Sequence, residues 1–494
     1  GPRSARTYDT GHSSPAPITC QTVIPKRLEF LTSADLPPAQ LNEIFTKAGE
    51  ELYLVGGSVR DAFLQRPLED FDFATSARPD VVAQLLEGWA DTVYKVGEAF
   101  GTIAAQKDGH TVEITTFRSE VYHDDSRKPV VTYSDNIETD LSRRDFTVNA
   151  IALSITELDP VDPYGGLGDL AAMLLKTPLD PEVSFGDDPL RMLRLFRFQA
   201  ILGFAPDESA VAAVRMMAER LEIISAERIR DELSKLLLAP TPGEALHMVV
   251  ATGLADHFLP ELPLLAMEQD PMHKHKDVLA HTFAVVDKAS PDLVLRLAAL
   301  LHDVGKPDTR EYGSGGVTFH HHDVVGARLA RRRLRALRYP KGVVDDVSRL
   351  VFLHLRPHTL KLGWTDSAVR RYVRDAGDLL DMLNELVRCD VTTANQRREK
   401  AIRSLIDDLE ERIEDLSARE ELARLRPPLD GNQIMTYLSI DPGPRVGVIM
   451  GILLEKRIDD GPYSAEEAYR IVREWAIDNG VPDPGVATSP GAGF

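Results

Sequence analysis

The acidic–aromatic alternation of Leu68-Glu69-Asp70-Phe71-Asp72-Phe73-Ala74-Thr75 follows closely on Leu54-Val55-Gly56-Gly57-Ser58-Val59-Arg60-Asp61. No other feature constrains this chain as much. Tyr53 to Val55 is apolar and reads as a strand, the two glycines break it, and Ser58 to Leu64 can open a helix whose free N–H groups attract an anion. Residues of an extended stretch alternate sides, so Asp70 and Asp72 share one face while Phe71 and Phe73 bury on the other. Two carboxylates on one face repel unless a cation lies between them. Hard divalent ions such as Mg²⁺ take oxygen ligands of this kind and keep positions open for substrate phosphates. A phosphate cradle beside a carboxylate pair is the equipment for nucleotidyl transfer.

At 494 residues the chain exceeds a single core, and length alone predicts about three or four domains. Its 43% apolar and 27% charged content excludes a fibrous or wholly disordered chain. Cys20 and Cys389 cannot build a disulfide framework, no apolar run is long enough to span a bilayer, and the N-terminal stretch has no signal-peptide core. A cytoplasmic protein with no membrane partner is expected, as monomer or homodimer. Gly1-Pro2, with no Met before it, reads as a cloning remnant and is set aside. The net charge of −20 excludes a broadly adhesive RNA coat, because phosphate contacts supply much of such affinity. Local basic stripes are still possible. Six arginines fall between Arg328 and Arg338, and Arg191, Arg194 and Arg197 recur every third residue.

Residues 1–28, rich in Ser, Pro, Thr and Gly, read as a disordered tail. Leu41, Ile44, Phe45 and Ala48 have helical spacing, with Gly49 as a stop. Residues 51–160 carry short strands; in Thr111 to Phe117, Val112 and Ile114 share one face and Glu113 takes the other. From about residue 165 the strands cease and nearly everything to 480 reads as amphipathic helix, including a charged stretch over 401–425, a long surface helix or a helical hairpin, interrupted by Pro427-Pro428 and Gly431.

With Arg143-Arg144-Asp145-Phe146-Thr147-Val148-Asn149-Ala150 added to the glycine turn and the Asp-x-Asp strand, the chain resembles the class II tRNA nucleotidyltransferases. These are the CCA-adding enzymes and bacterial poly(A) polymerases of the DNA polymerase β-like superfamily. The resemblance spans roughly residues 25–475 and implies an α+β protein: a small mixed-sheet nucleotidyltransferase head followed by an all-α neck, an HD domain and a C-terminal helical region. The expected divisions are 1–28 tail, 29–165 head, 166–262 neck with base recognition, 263–400 HD domain, 401–480 RNA-binding helices and 481–494 flexible tail. By resemblance, Gly56, Gly57 and Ser58 would hold the incoming triphosphate, and Asp70 and Asp72 would carry Mg²⁺. Glu113 is either a third carboxylate or an ordinary exposed strand residue. Arg60, Arg143 and Arg144 suit phosphate or ribose, since guanidinium matches phosphate geometry. Asp61 and Asp145 would orient those arginines, and Asn149 belongs to the same nucleotide-binding segment.

In Asp187-Asp188-Pro189-Leu190-Arg191, Pro189 suits a first helical turn and Asp188 and Arg191 share a face. The family reads a base with such a pair. Carboxylate accepts from the amine of cytosine or adenine, and guanidinium donates to ring acceptors, so CTP and ATP are expected substrates and UTP and GTP are not. Asp187 stands where the family has Glu. Arg194 and Arg197 could reach phosphate or solvent, with Arg194 favoured for substrate. Glu227 to Leu233 resembles the family's neck helix. Poly(A) polymerases carry a basic run where this chain has Val96-Gly97-Glu98-Ala99-Phe100-Gly101-Thr102, which favours CCA addition to tRNA over the alternative of AMP addition to RNA. A hydrolase with an RNA-gripping head is a further alternative.

Nine of the 14 histidines fall between 273 and 358. Leu293 to Val304 reads as an apolar helix bearing His302-Asp303, with Gly305 placed to close it. This segment resembles the HD superfamily, in which His281, His302, Asp303 and Asp390 would ligate a divalent metal, and His322 and His354 could complete a second position. Imidazole and carboxylate suit Mn, Ni, Co or Fe better than Mg²⁺. Such a centre would activate water against a phosphomonoester or a 2′,3′-cyclic phosphate. His273, His275 and His358 are expected at the surface.

Overall fold

The computed structural model describes residues 26–68, 70–95, 101–121, 130–134, 136–267, 277–313, 316–357, 365–391, 396–420 and 426–485. They form two compact units that meet in sequence between Asp180 and Pro181. Much of the expected tail, and also Val96 to Phe100, His273, His275 and His358, lie outside the described residues. The tail gives way to structure before residue 28: a 3₁₀ segment over Lys26–Thr32 buries Leu28 and Leu31. Among the described residues no helix is long and apolar enough to cross a membrane.

In the first unit α1 (Pro37–Ala48) buries Leu41 and Phe45 and stops at Gly49, whose φ of 79° few other residues tolerate. There follow β1 (Leu52–Val55), α2 (Gly57–Phe63), β2 (Asp70–Thr75), α3 (Pro79–Leu86), β3 (Thr92–Tyr94), β4 (Thr102–Lys107) and β5 (His110–Thr116). A hairpin of β6 (Arg118–Val121) and β7 (Val130–Tyr133) leads to α4 (Ile137–Ser142), β8 (Ala152–Ser154), β9 (Pro160–Val161) and α5 (Gly166–Ala172). The sheet order is β3-β4-β5-β2-β1-β8-β9. It is mixed, since β2 and β5 run parallel while β1–β2, β4–β5 and β1–β8 are antiparallel. Phe71 and Phe73 sink into the core with Val112 and Ile114, each aromatic ring contributing roughly 1.5–3 kcal/mol of burial. That packing commits Asp70, Asp72 and Glu113 to the opposite face. The unit runs past the expected boundary at 165 because α5 is keyed into it. Asp162 accepts from the N–H groups of Gly166 (2.6 Å) and Leu167 (2.9 Å), and a Cβ on Gly166 would lie 2.1 Å from the Thr147 carbonyl oxygen.

The second unit is helical: α6 (Pro181–Asp187), α7 (Leu190–Leu202), α8 (Glu208–Met217), α9 (Ala226–Leu237), α10 (Pro242–Ala251), α11 (Val278–Lys288), α12 (Leu293–Leu301), α13 (His322–Ala336), α14 (Lys341–Leu353), α15 (Asp366–Ala376), α16 (Leu380–Cys389), α17 (Gln396–Glu420), α18 (Gly431–Leu438), α19 (Pro444–Asp460) and α20 (Ala465–Asp478). Strands do recur here, against expectation. Arg310–Gly313 pairs antiparallel with Gly316–Phe319, and Tyr312, Val317 and Phe319 supply the β-forming side chains of the pair. Arg296 is buried and donates to the carbonyl oxygens of Leu237, Ala239 and Ala289. One guanidinium therefore ties three chain segments together, and those bonds offset its desolvation. The last three helices share their own core of Ile434, Leu438, Ile449, Leu453 and Val472.

Candidate active site and candidate metal centre

The β2–β5 register sets Asp70 opposite Thr111 and Asp72 opposite Glu113. Directly paired residues project on the same face about 4.8 Å apart, so Glu113 joins the two aspartates. The Asp72 carboxyl is pushed up to about 6 by burial first and then by the charges of Glu113 and Asp70, with Arg144 and Arg60 pulling the other way. Carboxylates that resist ionising together are the donor set a divalent cation relieves. The glycine turn comes right up to them. Gly56 has φ 68°, and a Cβ there would lie 2.9 Å from Arg144 Nη1 and 3.9 Å from Asp72 Oδ2. Gly57 begins α2. The Ser58 hydroxyl accepts from the Asp72 N–H (2.9 Å) and donates to the Asp70 carbonyl (3.3 Å). It locks turn to strand, so an anion at this turn would be met by backbone N–H groups rather than by that hydroxyl.

Arg60 is buried, forks onto Asp61 (3.0 and 2.8 Å) and donates to Asn149 Oδ1 (2.7 Å). Asp61 thus orients an arginine, as expected. Asp145 acts on the same arginine through Asn149: its Oδ1 accepts from Asn149 Nδ2 (2.9 Å), which fixes the amide that takes Arg60. Arg143 and Arg144 both grip Asp140, at 2.8 and 3.1 Å. Burial alone would raise the Asp140 carboxyl, yet Arg144 and Arg143 hold it below the usual range. Sequence reasoning passed over Asp140. Its signal was an acid three and four residues ahead of an arginine pair at a helix end.

In the second unit Asp188 does not sit inside α7 but two residues ahead of it, capping the Leu190 N–H (3.2 Å) and accepting from Arg228 (2.9 Å). Arg191 is buried and donates to the Ser184 carbonyl and hydroxyl (3.2 and 3.0 Å). Arg197 reaches Glu232 at 2.9 Å and lies 4.3 Å over the Phe198 ring, buried away from solvent; Arg194 stands 3.9 Å from Glu232 and is a third exposed. The α9 segment organises these groups through Arg228 and Glu232, two contributions that spacing within α7 could not disclose.

Six side chains converge at the ends of α11, α12, α14 and α16 and the start of α13. His281 Nε2 lies 2.8 Å from Asp390, and His302 Nε2 lies 3.2 Å from Asp303 and 3.4 Å from Asp390. His322 Nε2 is 3.5 Å from Asp303, and His354 stacks edge-on against His302 and His322. The ligand atoms fall into two groups, His281–His302–Asp390 and Asp303–His322–His354, each within 4.8 Å. Asp303, expected with the first set, groups with the second while still touching His302. The Nδ1 atoms of His302, His322 and His354 each lie 2.6–2.8 Å from a carbonyl, those of Ala299, Phe319 and Val351. A carbonyl only accepts, so each Nδ1 carries a proton and each Nε2 is the atom turned to the cluster. Burial opposes charge on His302, but the Asp303 and Asp390 carboxylates push its imidazole up to about 10, so a bound ion would displace its Nε2 proton. Those three Nε2 atoms are buried without a hydrogen-bond partner. This donor set fits one or two divalent transition ions. Asp303 is held well below the carboxylate range: burial opposes this, but His302 and Lys306 outweigh it. Lys306 donates to Asp303 at 2.6 Å and was not foreseen. Gly305 does not close α12, which ends at Leu301. A Cβ at Gly305 would lie 2.2 Å from the His322 carbonyl, so the glycine admits α13 to the cluster. His320 and His321 stay exposed, and the run supplies one inward ring, His322.

Three family models divide the chain along these lines: a poly A polymerase head domain over 52–176, a probable RNA and SrmB-binding site of polymerase A over 203–265, and an HD domain over 273–412. The head and its carboxylates therefore define a nucleotidyltransferase. An A-adding tRNA nucleotidyltransferase of Deinococcus radiodurans is 35% identical, covering 86% of this chain and 95% of its own length. The chain belongs to the tRNA nucleotidyltransferase/poly(A) polymerase family. A CCA-adding enzyme of Geobacillus sp. is 43% identical over 42% of this chain, which spans 50% of that relative. The Bacillus stearothermophilus CCA-adding enzyme in complex with CTP superposes with a TM-score of 0.64 at 25% identity, over 90% of this chain and 99% of that one.

Proposed function

We propose that this enzyme adds CCA to tRNA 3′ ends from CTP and ATP without a nucleic-acid template, in the cytoplasm. The observation that carries the reading is the β2–β5 register, which gathers Asp70, Asp72 and Glu113 beside the Gly56 turn. These three would hold Mg²⁺, which when bound supplies charge neutralisation for in-line displacement at a phosphate. The chain's own groups then do the positioning. The Gly56–Gly57 turn meets the triphosphate, and Arg60 and Arg144, fixed by Asp61 and Asp140, face its charge. Asp188, steadied by Arg228, accepts the amine of cytosine or adenine, and Arg191 donates to the ring. A carbonyl facing that carboxylate would leave polar groups unsatisfied at roughly 1–3 kcal/mol each, which disfavours UTP and GTP. The HD cluster would hold Mn, Ni, Co or Fe and hydrolyse a phosphomonoester or 2′,3′-cyclic phosphate.

A second reading has a specific basis: a relative aligned in sequence over 95% of its length is named A-adding, whereas two CCA-adding relatives are aligned in sequence over 50% and 58% of theirs. The deciding experiment offers labelled CTP or ATP separately to tRNA ending at the discriminator base or at CC. CMP on the first substrate and AMP on the second establishes CCA addition. AMP alone, and only after CC, establishes A addition; AMP alone on unstructured RNA would mark a poly(A) polymerase.

A further inference from the structure

We infer that the α13–α14 face of the HD region is an RNA-backbone docking surface, its arginines taking phosphates and Phe352 stacking an unpaired base. The inference rests on the RNA substrate class proposed above. Arg328, Arg331, Arg332 and Arg335 follow the i, i+3, i+4, i+7 spacing of one helical face, about 10 Å of stripe at 1.5 Å per residue. Arg333 lies off that stripe and turns to Glu261 (2.8 and 3.0 Å), which also stands 3.6 Å from Arg332; Arg331 pairs with Asp345. Arg328 and Arg335 are exposed, and their side chains make no ion pair or hydrogen bond among the described residues.

A merely solvated face looks different in this protein. On α17, arginines alternate with acids, and Arg412 and Arg419 reach the carboxylate of Asp366. Between Arg328 and Arg338 there is no acid at all, in a chain of net charge −20. Beside the stripe, α13 and α14 leave a cleft of about 510 Å³ lined by Arg328, Arg331, Asp345, Arg349 and Phe352. Phe352 is 37% exposed, and the Arg356 guanidinium lies 5.8 Å from its ring centroid. An open ring rimmed by guanidinium groups is the arrangement that binds single-stranded nucleic acid. An acidic peptide has no use for the ring.

The test compares full-length wild type with R328E/R332E/R335E and with F352A, using fluorescent tRNA lacking CCA and titrations across a salt series. The triple variant is expected to bind at least about 10-fold more weakly, with a salt slope shallower by about 2 to 3. F352A is expected to weaken binding about 5-fold or more. Turnover at saturating RNA, and KM for the nucleoside triphosphate, stay at wild-type values. Should the triple variant misfold by circular dichroism, R328Q/R335Q reads the same slope, reduced by about 1 to 2. Unchanged affinity and slope in a variant of an enzyme that still extends tRNA overturns this inference alone. A wild type that neither binds nor extends tRNA overturns the functional reading with it. Loss of wild-type self-association in the variant, with RNA binding intact, would make the face a protein interface and also overturn the inference.

Discussion

The head and the HD region each offer a candidate site for a divalent ion, and the two are built in opposite ways. In the head the donors are carboxylates alone, gathered by strand register on a sheet face where Asp70 and Glu113 remain exposed. In the HD region imidazoles dominate, mostly buried and drawn from separate helices, with Nε2 atoms already aimed inward. Oxygen donors open to solvent suit an ion that shares its shell with a triphosphate; a buried nitrogen-rich socket suits an ion that stays and polarises water. Electrostatics differ too. Asp72 is held back from ionising by burial and then by its acidic neighbours, whereas Asp303 is held ionised against burial by a charged His302 and Lys306.

The strongest way to break that contrast is to disable each centre in turn. D70A/D72A should lower nucleotide addition at least about 10³-fold and leave HD metal content, read by elemental analysis, unchanged. H302A should empty the HD centre and leave nucleotide addition within about 2-fold. A crossed result, with HD substitutions stopping nucleotide addition, would mean the two sites are not separable. Next in size, D140A leaves two arginines without their buried partner and should cost about 3 kcal/mol in urea unfolding, whereas an exposed pair such as Lys47–Glu43 should cost almost nothing.

The smallest effect sharpens the electrostatic difference. The folded-state Asp72 carboxyl lies above its ordinary value of 3.8, at about 6. The fold therefore favours its protonated form, and the metal-free protein loses stability from this group as pH rises from about 4 through 6. D72N should raise the metal-free melting point at pH 7.5, by on the order of 2 kcal/mol of stability, with no gain at pH 4. Mg²⁺ should stabilise wild type at pH 7.5 and do so less as pH falls through 6.

What could be read without coordinates was local. Asp70 and Asp72 lie on one strand, so period-2 alternation alone assigns their face, and Gly56 ends the preceding strand just before the intervening helix. Glu113 stayed ambiguous because only the parallel pairing of β2 with β5 brings it to Asp72. Asp140 and Lys306 were near in sequence to expected residues but carry no motif of their own. Arg228 acts on Asp188 across 40 positions, a distance no helical spacing reports. The Arg310–Phe319 hairpin was hidden inside a helical stretch because its strands are only four residues long.

The three histidines whose rings are fastened to carbonyls three residues earlier in their own turns have a consequence for handling the protein. Each lever is set by its own backbone, so the pocket is cocked before any cargo arrives. Chelation should strip it and dialysis refill it with the fold intact, unlike small zinc modules that unravel when emptied. The centre behaves as a socket rather than a rivet.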